Sequence, residues 1–304
     1  MRLPRLRTTF PLGAPTWPDG VERPPLAGRT GLDYDTAWAR RYGARVARAV
    51  FVDDVLRPLI NAVGSPDVHG LDRLADLDET AIFAANHHSH LDTGVILTSL
   101  PARWRHKTVV AAASDTFFAT RAMSAFSALT IGAIPIERHR VNRRSSDLVA
   151  ALLGEGWSLI IFPEGGRSPD GWAREFRGGA AYLAVKCVRP VVPVYIEGTR
   201  GVLKKGQTLP AGIANPFRRG GPVKVNFGKP MRPVEGEDAR RFAVRIQDAI
   251  AELGDEWSTD WWSARRRAAA GRTPGLGGPT ASPWRRAWRL EEGRRAPAGA
   301  KSWP

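Results

Sequence analysis

The sequence predicts an α/β fold on a largely parallel sheet, and three observations carry that expectation. Six apolar runs of strand length recur between residues 81 and 228, helically periodic segments alternate with them, and two of the runs break into polar turns dense in histidine, glycine and arginine. In open α/β sheets ligands collect at the carboxyl ends of strands, so the two polar turns are expected to face one crevice.

Along the chain, residues 1–31 are rich in proline, arginine and glycine without periodicity and read as a loosely ordered lead. Residues 32–256 form the expected domain, and 257–304 a basic tail rich in tryptophan, arginine and proline. The domain opens with an amphipathic helical segment, where Tyr34, Trp38, Tyr42, Val46 and Ala49 share a stripe flanked by Arg41, Arg45 and Arg48. Val52, Val55, Leu56, Leu59, Ile60 and Val63 continue the pattern beyond a break at Asp53 and Asp54 and a kink at Pro58. Strands are expected near 81–86, 107–112, 132–136, 158–162, 191–196 and 223–228, and helices near 91–100, 114–128, 142–154, 175–187 and 236–253. Pro193 removes a backbone donor from the fifth run, which points to a bulge or an edge position.

Composition bounds the rest. The chain has 304 residues, enough for a sizeable core, and a formal charge of +15. Its one cysteine, Cys187, excludes an intrachain disulfide and suits a reducing cytosol. No charged-then-apolar signal opens the sequence, and no apolar stretch approaches the roughly 20 residues that span a bilayer. A cytoplasmic protein, soluble or peripheral on a membrane, is expected.

Asn86-His87-His88-Ser89-His90-Leu91-Asp92 directly follows the apolar run Ala81 to Ala85. Residues five apart do not share a helix face, so His87 and Asp92 meet only if the chain turns between them. A strand, a short turn and a helix starting near Leu91 allow this, with Asp92 in the first helical turn, where the dipole favours a carboxylate. A carboxylate on one imidazole nitrogen fixes the tautomer and leaves the other nitrogen free to take a proton from a hydroxyl. His87, His88, His90 and Asp92 are also residue types that bind zinc or iron, but adjacent histidines seldom converge on one ion and no second ligand cluster is visible, so no metal is expected. Ser89 as a hydrolase nucleophile lacks the Gly-x-Ser-x-Gly elbow. A solvated polar turn is the plain alternative.

Ser158-Leu-Ile-Ile-Phe162 runs into Pro163-Glu164-Gly165-Gly166-Arg167-Ser168. The glycines permit close backbone approach, and Arg167 offers a planar fork of donors suited to phosphate. Gly132-Ala-Ile-Pro-Ile-Glu-Arg138 ends either in a second phosphate contact, Arg138, or in a solvated strand end. Charge-assisted hydrogen bonds are worth about 1.5 to 3 kcal/mol each, enough for two arginines to select a phosphorylated substrate. Pro190-Val-Val-Pro-Val-Tyr-Ile196, before Glu197-Gly198-Thr199, reads as a further buried strand.

In this order the four blocks, between residues 86 and 198, resemble the glycerolipid acyltransferases related to lysophosphatidic acid acyltransferase. Asn86-His87-x-Ser89-x-x-Asp92 is similar to the family's first motif, Gly132 to Arg138 to its second, Phe162 to Ser168 to its third and Val191-Val-Pro193 to its fourth. The resemblance implies a mixed sheet with helices on both faces, often with a membrane-facing helix pair at the N-terminus. It implies that His87 is the general base on a hydroxyl of the acceptor lipid, with Asp92 orienting it. The activated oxygen would attack the thioester of acyl-coenzyme A or acyl-carrier protein, and no cofactor beyond that co-substrate is implied. The expected acceptor is 1-acylglycerol 3-phosphate, giving phosphatidate, with another lysophospholipid or glycerol 3-phosphate as related choices. Acceptor binding carries over to Arg138, Glu164, Gly165 and Arg167, with Glu164 bracing an arginine or the turn. Gly166 stands where the family usually has threonine, and Pro135 where an aromatic is common. Phe117, Phe118, Met123 and Phe126 would serve core packing or line an acyl-chain channel. The oxyanion donor implied is a backbone amide near the first motif.

A membrane acceptor calls for a docking device at the inner face of the cell membrane. The helical segment 33–63 is one candidate, since arginine stems snorkel beside an aromatic stripe. The tail is another: from Ala264 onward it has ten Lys or Arg against Glu291 and Glu292, a net of +8, with Trp257, Trp261, Trp262, Trp284 and Trp288 before and among them. At about 1 kcal/mol per basic residue near an anionic leaflet, partial engagement suffices. Nucleic acid also suits basic residues interleaved with aromatics, so a nucleic-acid-binding or scaffold protein on an enzyme-like fold is the alternative.

Overall fold

The computed structural model describes residues 30–137, 143–168, 171–203 and 222–277. Among these, seven strands form one sheet: β1 (Asp67–His69), β2 (Ile82–Ala85), β3 (Thr108–Ala113), β4 (Ala133–Ile136), β5 (Ser158–Ile161), β6 (Val191–Glu197) and β7 (Lys224–Phe227). Their order across the sheet is β1-β7-β6-β2-β5-β3-β4. Every neighbouring pair is parallel except β6 with β7. The helices are α1 (Tyr42–Val50), α2 (Arg57–Gly64), α3 (Leu91–Ser99), α4 (Ala102–Arg105), α5 (Ser114–Phe117), α6 (Arg121–Ile131), α7 (Arg143–Gly154), α8 (Gly179–Cys187), α9 (Thr199–Val202), α10 (Ala239–Ser258) and α11 (Trp261–Ala269). The expected mixed sheet with helices on both faces is thus present.

Strand β2 shows why the sheet needs two cores. All four of its residues are buried, and successive side chains of a strand point to opposite faces. Phe83 and Ala85 pack with Ile60 of α2 and Val95 of α3, whereas Ile82 and Ala84 pack with Leu152 of α7, Ala180 of α8 and Phe242 of α10. The Phe83 ring stands edge-on to Trp104 at 5.9 Å and to Phe227 at 6.4 Å, tying β2 to α4 and β7.

Several elements depart from expectation for identifiable reasons. The amphipathic segment does not break at Asp53 and Asp54; Phe51–Leu56 is a π-helical stretch that joins α1 to α2. In a regular α-helix the Pro58 ring would press on the Asp54 carbonyl, and a wider turn just before it relieves that clash. The apolar residues then divide: Val52, Ile60 and Val63 enter the core, while Tyr42, at 81 % exposure, with Val46, Val50, Val55 and Leu59 stays outside. The helix expected over 114–128 is two helices, α5 and α6, because Thr120 restarts it, its hydroxyl accepting from Met123 N at 3.2 Å. Phe118 is core, but Met123 and Phe126 are exposed on α6, which packs on α1. Strand β1 went unforeseen, being three residues with one apolar side chain.

Pro193 does not lie at an edge, since β6 is flanked by β2 and β7, but it faces a bulge: the register slips by one residue between Val194 opposite Phe227 and Val191 opposite Met231. Its carbonyl accepts from Gly228 N at 2.8 Å, so its missing donor faces that same side, just past the end of β7, where the irregular pairing tolerates it. The boundary expected at residue 257 falls inside α10. Helix α11 folds back onto α10, burying Ala264 and pairing Arg267 with Asp255 at 2.7 Å and Arg265 with Glu252 at 3.0 Å. The lead 1–29 and the tail from 278, with Trp284 and Trp288, lie outside the described residues. Among the described residues no helix is long and apolar enough to cross a membrane.

Replacing Phe83 by alanine removes the ring that three elements share. It is expected to cost about 3 to 5 kcal/mol in denaturant unfolding with the far-ultraviolet dichroism of the folded protein unchanged.

Candidate active site

Strands β2 and β5 are neighbours, with Ala84 opposite Ile161, so the turns that follow them leave the sheet side by side. Asn86 prolongs the pairing of β2 with β6 through its side chain. Its amide donates to Ile196 O at 2.7 Å and accepts from Ile196 N at 2.8 Å, which frees the main chain to turn.

In that turn His87 Nδ1 lies 2.8 Å from Asp92 Oδ2. The same oxygen accepts from His88 N at 2.6 Å and Ser89 N at 2.8 Å. Asp92 sits in the first turn of α3 with 0 % exposure. Burial pushes its pKa up, but the hydrogen bond and charge of His87, the Ser89 amide and the Thr199 hydroxyl together hold it below the ordinary carboxylate value. An ionised carboxylate only accepts, so Nδ1 carries the proton and Nε2 is the basic nitrogen. The imidazole stacks on Phe162 at 4.1 Å and lines the adjoining cavity.

The turn after β5 grips the main chain of His87 on both sides. Glu164 Oε1 accepts from His87 N at 2.8 Å, and Ser168 N donates to His87 O at 2.8 Å. The second Glu164 oxygen accepts from Arg174 N at 2.8 Å. At 1 % exposure Glu164 is turned away from the cavity, and its carboxylate braces the backbone of the two turns. Burial outweighs these two N–H bonds and, with the charge of Asp92 nearby, pushes its pKa up to about 7.

The cavity has a volume of about 440 Å³ and is lined by His87, Phe117, Phe162, Arg167, Arg174 and Arg177, among others. Gly165 also lines it at φ +67°, a conformation that favours glycine, and a Cβ there would come within 3.1 Å of Arg177 Nε and displace that side chain. At Gly166 a Cβ would meet only Arg174 Nη1 at 3.7 Å, so space alone does not exclude the family's threonine. Arg138 lies outside the described residues. Arg174 and Arg177 escaped the sequence reading because no local pattern separates them from the chain's many other arginines; the fold brings them to the cavity.

The remaining histidines and Ser89 diverge. His90 lines the cavity with its ring edge-on to Phe117 at 5.7 Å. His88 turns to Asn86, its Nε2 at 3.3 Å from the amide, and burial lowers its pKa. Ser89 Oγ is buried and donates to Leu203 O at 2.8 Å, which removes it as a nucleophile. The amides of His87, His88 and Ser89 all donate to carboxylates, so none of these three is the free oxyanion donor expected near the first motif.

Residues 65–197 match the family model described as Acyltransferase. The chain is 30 % identical over 188 residues to the 1-acyl-sn-glycerol-3-phosphate acyltransferase BAT2, chloroplastic, of Brassica napus, covering 61 % of this chain and 50 % of that protein. It is 26 % identical over 183 residues to 1-acyl-sn-glycerol-3-phosphate acyltransferase alpha of Homo sapiens, covering 59 % of this chain and 60 % of that one. Thus the chain spans about half the length of the plant relative. The crystal structure of the 1-acyl-sn-glycerophosphate acyltransferase PlsC from Thermotoga maritima shares the fold at a TM-score of 0.55 and 21 % identity, covering 74 % of this chain and 84 % of that one.

Glu164 gives the site a pH signature. Between its ordinary 4.5 and about 7 the folded state holds a proton that the unfolded state has lost, so stability falls as pH rises through that window. Asp92, shifted the other way, contributes stability that is lost only as pH drops below its ordinary 3.8. The denaturant midpoint of the parent protein relative to that of Glu164→Gln is expected to decline from pH 4.5 to about 7, the comparison cancelling the opposite slope of the buried His88.

Proposed function

We propose, from the premise that residues 65–197 are a domain of the acyltransferase family, that this protein moves a fatty acyl group from a thioester donor to a hydroxyl of a phosphorylated glycerolipid. The relatives' names favour 1-acylglycerol 3-phosphate as acceptor and phosphatidate as product. One observation carries the reading: a His87–Asp92 pair at 2.8 Å opens on a cavity that also holds Arg167, Arg174 and Arg177, while Ser89 is turned away to Leu203. That is a base beside an anion site with the serine of the same turn bonded away from it, and in this scheme the substrate's own hydroxyl is the nucleophile.

His87 Nε2 takes the proton of the acceptor hydroxyl as its oxygen attacks the thioester carbonyl carbon. The tetrahedral intermediate then expels the thiolate, which takes the proton back from His87, leaving ester and thiol. Asp92 stabilises the imidazolium formed between these steps and keeps Nδ1 protonated throughout. General base catalysis contributes roughly a hundred- to ten-thousand-fold, and positioning of the acceptor by the arginines adds to it. Arg167 is assigned to the acceptor phosphate, with Arg174 and Arg177 beside it and Arg138 carried by the resemblance. Acyl-coenzyme A and acyl-carrier protein present the same thioester, and either serves as donor in this scheme.

We place the protein peripherally on an anionic membrane at its cytoplasmic face. Support comes from the exposed Tyr42, Val46 and Val50 of α1, beside Met123 and Phe126 of α6, and from the exposed Trp261 and Trp262 of α11. Apolar side chains next to arginines suit the boundary between headgroups and acyl chains.

With labelled acyl-coenzyme A and acyl-carrier protein offered to a panel of lysolipids and glycerol 3-phosphate, His87→Ala is expected to lower transfer by about a hundred- to ten-thousand-fold. Near-normal transfer in that variant would overturn the mechanism. Arg167→Ala is expected to raise KM for phosphorylated acceptors with kcat little changed. In flotation assays the protein is expected to rise with anionic vesicles and not neutral ones, and Tyr42→Asp with Val46→Asp to weaken that binding; a gel shift with DNA in its place would favour the nucleic-acid reading.

A further inference from the structure

Two buried polar atoms beside the dyad have no formed hydrogen bond among the described residues: Asp92 Oδ1 and Thr199 Oγ1. Thr199 is the first residue of α9, just after β6, and is 0 % exposed. Its hydroxyl helps to depress the pKa of Asp92, so the two groups lie close enough to act on each other. The flanking chain is held firmly. Asn86 is bonded twice to Ile196, at 2.7 and 2.8 Å, and Ser89 Oγ donates to Leu203 O at 2.8 Å, so the segment carrying Thr199 is stitched to the catalytic turn on both sides.

A buried hydroxyl and a buried carboxylate oxygen rarely remain unpaired, since each unmet group bears the full loss of its hydration. No other side chain bonds Asp92 Oδ1 or Thr199 Oγ1 among the described residues. Oδ2 already serves His87, His88 and Ser89. We propose that Thr199 is a positioning residue for the acyl-transfer site: its hydroxyl donates to Asp92 Oδ1 and fixes the rotation of the carboxylate, so that Oδ2 stays in line with His87 Nδ1. The threonine touches no substrate and acts through Asp92. The assignment rests on the acyl-transfer reading for its kinetic consequence and not for its geometry.

The test compares Thr199→Val, which keeps the shape and removes the hydroxyl, with Thr199→Ser, which keeps the hydroxyl. Thr199→Val is expected to lower kcat by about 10- to 100-fold with KM for both substrates unchanged, the range expected from loss of one hydrogen bond to a charged group. It is also expected to lose or broaden the far-downfield proton resonance of the His87 Nδ1–H, which Thr199→Ser should retain together with most of kcat. A Thr199→Val protein with parental kcat and an unchanged resonance would overturn the proposal. So would equal losses in both variants accompanied by a drop in melting temperature, which would make the role one of packing. If the parent protein transferred no acyl group to any acceptor, the functional reading would fall, and the resonance would still decide whether Thr199 orders Asp92.

Discussion

A carboxylate removed entirely from water controls the shape of this site. Asp92 is buried within the first turn of α3, and a buried charge without compensation costs several kcal/mol, so the chain around it must supply donors. It does so with two consecutive amides, His88 N and Ser89 N, and with the imidazole of His87, all converging on Oδ2. Two adjacent amides can point at one oxygen only if the backbone turns tightly between β2 and α3. The conformation that satisfies the charge is therefore the one that brings His87 back over Asp92, and the dyad and the turn are a single solution to one electrostatic requirement.

The second constraint is the adjacency of β2 and β5. Because these strands pair, the turn after β5 can hold the peptide groups of His87 through Glu164 and Ser168, so His87 is fixed by its main chain as well as by its ring. Glu164 spans from His87 N to Arg174 N, which links the base to the arginine-lined side of the cavity. A side chain that touches no open space thereby joins the His87 end of the site to its arginine-lined end. On the other flank β6 performs the same service through Asn86.

Much of this was legible from residue order. The core strands announced themselves because strands buried on both faces read as unbroken apolar runs, and the His-x4-Asp spacing required a turn wherever the chain placed it. Other elements left weaker traces. Strand β1 carries one apolar residue in three, Thr120 reads like any polar residue until it caps α6, and Pro193 leaves bulge and edge open until the register beyond β7 is known. Arg174 and Arg177 are indistinguishable by type from arginines that only solvate the surface, and Thr199 is a single hydroxyl after a glycine.

The sequence by itself determined the local layout: a histidine and an aspartate forced into one turn, a glycine–arginine turn after a second strand, and an α/β alternation to carry both. Those features are local, set by periodicity, by side-chain type and by the reach of five residues. Only the tertiary structure decided which groups surround the pair. Glu164 as a backbone brace, Ser89 as a bond to Leu203 and Thr199 near enough to act on Asp92 all depend on segments more than 70 residues apart, and the order of strands in the sheet, not the order in the chain, brings those together.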